Sequence, residues 1–195
     1  MKKLILLLLF SMLSISTYSQ KKKKKVTKKA ISSLILAKTD DVTAEVVKDK
    51  FYIFSSVVNS QKDTVATKII DSKNLPTDCK IISFNVKSKK LYAITWVEKS
   101  TTQTDTKTEE VTQNFAQIFD ITTKLKTFEN IQKSTKIKEQ VFLDRLKNAS
   151  ETQERMRNEG YNFSLLPNGD VSLKNKTQER KMTFDFSKNM YTNKK

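Results

Sequence analysis

Leu91-Tyr92-Ala93-Ile94-Thr95-Trp96-Val97 is apolar at both odd and even positions. A strand with one wet face alternates apolar and polar residues. A run of this length rich in β-branched and aromatic side chains instead reads as a strand covered on both sides. The segment is therefore predicted to be the central strand of a sheet, and the chain around it follows.

Upstream, Lys80 to Val86 places Ile82, Phe84 and Val86 on one face with Ser83 and Asn85 opposite, the period of a half-buried strand. Thr43 to Val47, Phe51 to Val58 and Thr64 to Ile70 read as earlier strands, separated by Lys48-Asp49-Lys50 and by the polar turn Asn59 to Asp63. Downstream, Lys99 to Glu110 reads as a Thr-rich loop. Phe115 to Ile121 and Leu125 to Phe128 then read as a hairpin.

Lys50-Phe51-Tyr52-Ile53-Phe54-Ser55 lines up with Lys90-Leu91-Tyr92-Ala93-Ile94-Thr95, 40 residues later, and Ile69-Ile70-Asp71 lines up with Ile118-Phe119-Asp120. The second unit, Lys80 to Phe128, looks like one four-stranded propeller blade, and a period near 40 residues is in the propeller range. Closure needs at least four blades, and the sequence has room for two.

From about Thr135 to Glu159, Phe142, Leu146, Ala149, Gln153 and Met156 recur at spacings of 4, 3, 4 and 3, which predicts an amphipathic helix with Gly160 as its C-cap. The stripe is interrupted at Gln153, so Gln153, Met156 and Arg157 are the candidate partner-binding residues on a second half that runs past the sheet. Tyr161 to Leu173 predicts a hairpin about Pro167-Asn168-Gly169-Asp170. The fold class expected is thus β-rich α+β: an antiparallel meander, arranged as a sandwich or curved sheet of blade-like repeats, with one long helix in the C-terminal half and a terminal hairpin.

The first residues read Met-Lys-Lys, then the apolar run Leu4 to Phe10, then a polar stretch with Thr17 and Ser19 at the small-residue positions of a cleavage site. This is the pattern of a signal peptide over 1–19, cut before Gln20, and seven apolar residues are too few to span a bilayer. The expected organisation is that signal peptide, a disordered Lys-rich arm over 20–29, a single β-rich domain over 30–186 with its helix at about 135–159, and a frayed tail over 187–195. The expected location is exported, periplasmic or outer-membrane associated.

The 195 residues carry a formal charge of +16, but the charge is unevenly placed. Lys21, Lys22, Lys23, Lys24 and Lys25, with Lys28 and Lys29, form an acid-free electrostatic arm, whereas 30–170 is close to neutral. A nucleic-acid binder spreads basic residues over its fold, so nucleic acid is not an expected partner. Weak contact with an anionic surface is the reading for the arm.

Composition restricts the chemistry. No His occurs, which removes imidazole catalysis and imidazole metal sites; the single Cys79 makes no intrachain disulfide or thiolate cluster; two Gly build neither a dinucleotide fingerprint nor a Walker loop. The pairs Asp40-Asp41 and Glu109-Glu110 read as solvated loops, and Asn168-Gly169-Asp170 as a turn rather than a calcium loop. Tyr52, Tyr92, Trp96 and Phe115 suit either an aromatic ligand platform or a core, and aromatics on alternating strands favour the core. No catalytic, cofactor or metal residue is expected. The functional expectation is an exported, non-catalytic accessory subunit that binds another envelope protein through a sheet edge or the long helix, for example in an outer-membrane secretion or transport assembly. The alternative is a basic module for anionic envelope polymers or lipids.

Overall fold

The computed structural model describes residues 33–39, 41–56 and 62–193. The expected signal peptide over 1–19 and the arm over 20–29 lie outside the described residues. The described chain holds thirteen strands: β1 (Ser33–Lys38), β2 (Val42–Val47), β3 (Lys50–Ser55), β4 (Asp63–Ile69), β5 (Thr77–Val86), β6 (Lys89–Gln103), β7 (Lys107–Asp120), β8 (Leu125–Phe142), β9 (Ser150–Glu159), β10 (Asn162–Leu165), β11 (Val171–Lys174), β12 (Glu179–Asp185) and β13 (Met190–Asn193). They form three antiparallel meanders in chain order, β1 to β4, β5 to β9 and β10 to β13.

The middle sheet is covered on both faces where β6 begins, because its residues alternate between two apolar clusters. Tyr92, Ile94 and Trp96 pack with Val42, Ala44, Val46, Phe51 and Ile53 of the first sheet. Leu91 and Ala93 pack with Val171, Leu173, Phe184 and Tyr191 of the third. Three meanders stacked face to face in sequence order resemble consecutive propeller blades, but three fall short of the four that closure requires. The 40-residue echo does not mark equivalent positions. Lys50 to Ser55 is the third strand of its sheet and Lys90 to Thr95 lies in the second strand of the next. Both are interior strands, and the shared need for two-sided burial explains the shared pattern.

The expected helix at 135–159 does not exist, and no helix occurs among the described residues. The segment is the distal part of β8, a loop at 143–149 and the whole of β9. Thr135 and Ile137 are buried while Lys136 and Lys138 are exposed, so the operative period is two. Asp144 shapes the loop: its Oδ1 accepts from Asn148 N at 3.0 Å and its Oδ2 from Ala149 N at 3.2 Å. Leu146, the centre of the supposed apolar stripe, stands 80% exposed in this loop. Ser150 to Glu159 is rich in helix-favouring residues, yet β8 offers ten register partners, and pairing overrides a weak propensity.

Two further expectations are corrected. Lys99 to Glu110 is not one long loop: β6 runs to Gln103 and β7 starts at Lys107, so Glu109 and Glu110 lie in a strand opposite Ile137 and Lys136. The tail expected to fray from 187 includes β13, whose Tyr191 is buried and donates to Gly169 O at 2.7 Å. Gly169 sits at φ +83 in the turn between β10 and β11, a conformation glycine adopts without strain. Cys79 is a free, half-buried thiol, and burial pushes its pKa up to about 11.

Candidate functional site

The distal halves of β6, β7 and β8, together with β9, extend beyond the two apolar clusters. No residue from 97 to 114 or from 129 to 160 belongs to either of them. This part of the sheet is a ribbon held by its own cross-strand pairs. Val111, Thr135 and Arg157 form one row across it, and Glu109, Ile137 and Arg155 form the next. Arg155 bonds Glu139 at 3.3 Å, and Glu154 faces Lys136 and Lys138 at 3.4 and 3.7 Å. Such exposed pairs each contribute about 0.2–1 kcal/mol, enough to set register. The Lys107 ammonium holds the Glu109 carboxyl below its ordinary value, with Arg157 and Lys133 adding to the field.

β9 is the outer strand of this sheet, and every one of its residues is exposed. Leu143 N donates to Ala149 O at 2.9 Å, which sets the parity of the hairpin. In this register, residues 151, 153, 155, 157 and 159 exchange backbone hydrogen bonds with β8. The N–H and C=O groups of Thr152, Glu154, Met156 and Asn158 therefore point away from β8, to an edge that no described strand covers.

The structure puts Gln153, Met156 and Arg157 on this edge strand but does not bring them onto one surface. Side chains alternate along a strand, so Gln153 and Arg157 share one face and Met156 takes the other. Gln153 donates to Glu151 Oε1 at 2.5 Å, and Arg157 bonds Glu159 at 2.9 Å. Met156 is 60% exposed and borders a polar depression of about 540 Å³ with Asn158, Lys174 and Lys176. The arm residues Lys21, Lys22, Lys23, Lys24 and Lys25 lie outside the described residues.

The sequence reading missed a cleft of about 400 Å³ between the first two sheets. One wall is Phe51 and Ile53 of β3 with Ala66 and Lys68 of β4. The other is Trp96 of β6, Phe115, Gln117 and Phe119 of β7, and Lys126, Glu129 and Ile131 of β8. Of the four aromatics considered as a platform, Trp96 and Phe115 line this cleft, and Tyr92 belongs to the apolar cluster beneath it. Tyr52 does not join them, since it stacks on Phe54, two residues along β3, with centroids 5.2 Å apart. The signal available in the sequence was the alternation Phe115, Gln117, Phe119, which mixes a polar residue into an otherwise apolar face.

Asp41, expected to be a solvated loop carboxylate, accepts from Lys90 Nζ at 2.6 Å and from Tyr92 OH at 2.5 Å, which holds its pKa below the ordinary value. Among the described residues no group of three or more Cys, Asp or Glu is placed to hold a metal ion. Searches against protein-family models, curated proteins and solved structures find no match to the chain.

Proposed function

We propose that the protein is an exported, non-catalytic accessory subunit of a periplasm-facing envelope assembly, for example an outer-membrane secretion or transport complex. In this reading an extended strand of the partner adds along the open edge of β9. The observation that carries it is the outward-facing backbone of Thr152, Glu154, Met156 and Asn158 on a ten-residue strand that is outermost among the described strands of its sheet. An exposed edge is a template for strand addition. The charges of Glu151, Glu154, Arg155, Arg157 and Glu159 would restrict the partner to a strand of matching charge pattern. Export is supported by the signal-like pattern of residues 1–20.

Affinity purification from a mild-detergent extract of the native envelope, followed by mass spectrometry, identifies the partner. The complex should survive 0.5 M salt, because main-chain hydrogen bonds are screened little. Its loss with salt, together with retention when β9 is altered, would favour the alternative reading of a basic module for anionic polymers or lipids.

A further inference from the structure

β1 and β2 lie against β5, so the four strands of the first sheet run out before they cover β8. Two cross-strand rows of the middle sheet face the space that is left: Trp96, Phe115 and Ile131 in one, Gln117 and Glu129 in the next. Trp96 and Phe115 are 2% and 7% exposed there, and Ile131 is 45% exposed. β3 and β4 overhang these rows, and the cleft lies between. Its volume of about 400 Å³ is that of a small-molecule site.

The charged groups at the cleft differ in how firmly they are held. Lys68 Nζ sits 3.6 Å from the Phe115 centroid and 5.8 Å from that of Trp96. It is tied at 2.5 Å to Glu98 Oε1, which also accepts from Trp96 Nε1 at 2.8 Å. That cation is committed to the aromatic floor and its own carboxylate. Lys124 and Lys126 stand at the mouth, paired at 2.6 Å with Asp63 and Glu129. All four of these side chains are more than 40% exposed, and such pairs exchange readily with a competing anion. The lining therefore offers exposed apolar surface at Ile131 beside the covered Trp96–Phe115 stack, with two exchangeable cations at the entrance.

We infer that this cleft binds a small amphiphilic anion, a medium-chain acyl or aryl carboxylate, with its apolar body on Ile131 beside the covered edges of Trp96 and Phe115 and its carboxylate on Lys124 and Lys126. A neutral ligand of the same body would leave the two lysines with nothing gained. A bare anion would leave Ile131 uncovered. The site is independent of the β9 edge and uses none of its residues.

Trp96 is the only tryptophan of the chain, so its fluorescence reports occupancy directly. Purified full-chain protein is titrated with decanoate below its micelle concentration, and in parallel with decanol. The expected result is a saturable change with decanoate and affinity about tenfold weaker for decanol. The double variant Lys124→Gln/Lys126→Gln should bind decanoate about tenfold more weakly, with its melting temperature retained because both side chains are exposed. Ile131→Phe, at a position 45% exposed, should narrow the cleft and abolish the response without unfolding the protein. Absence of saturable binding, equal affinity for decanol, or wild-type binding by both variants would overturn the assignment.

Discussion

Trp96 of β6 and Phe115 of β7 stand opposite each other and stack with centroids 4.9 Å apart and ring planes within 5°. Phe51 of the first sheet meets the same indole at 4.9 Å and 44°. Three strands from two sheets thus converge on one side chain that is only 2% exposed. Trp96→Ala should cost about 3–5 kcal/mol, read by urea unfolding followed by circular dichroism. A loss under 1 kcal/mol would mean that the first sheet is not seated on the second.

Leu146→Ala and Met156→Ala should each change stability by less than about 0.5 kcal/mol, because the two residues are 80% and 60% exposed. A core helix would make Leu146→Ala cost about 2–5 kcal/mol. The same unfolding series therefore separates hairpin from helix.

What could be read in advance, and what could not, follows from how many signals agreed. Leu91 to Val97 was legible as a central strand because composition and periodicity point the same way, and two-sided burial leaves no alternative. The turn at Pro167 to Asp170 was legible because Pro167 and Gly169 each demand a specific backbone conformation. The β8–β9 hairpin was not. Its apolar residues are few, since of this ribbon only Thr135 and Ile137 are buried, and chance spacing of Phe142, Leu146 and Met156 imitated a helical stripe. The cleft was invisible for another reason: it depends on two sheets having unequal strand numbers, which no local pattern records.

Asp120 ties the β7–β8 turn to Lys89, with Lys89 Nζ at 2.8 Å from Oδ2 and Thr123 Oγ1 donating to the same oxygen at 2.7 Å. Burial alone would raise its pKa, but these donors and the Thr123 amide hold it below the ordinary value. The folded value lies under the unfolded one of about 3.9. The stabilisation is therefore complete above that pH and disappears as pH falls through the folded value. Asp120→Asn should cost about 1.5–3 kcal/mol at pH 7, and its deficit relative to wild type should shrink below pH 4. A deficit unchanged down to pH 2 would show that the ion pair is not its source.

Residue-resolved amide exchange, measured by nuclear magnetic resonance on the free protein and on its complex, tests the edge-strand account most directly. In the free protein, the amides of residues 151, 153, 155, 157 and 159 should exchange slowly and those of Thr152, Glu154, Met156 and Asn158 quickly, because only the first set donates to β8. On adding the partner, the second set should slow as well, with little change elsewhere on the ribbon. Continuous protection from 150 to 159 in the free protein would contradict the open edge. Fast exchange of the second set in the complex would contradict strand addition along β9.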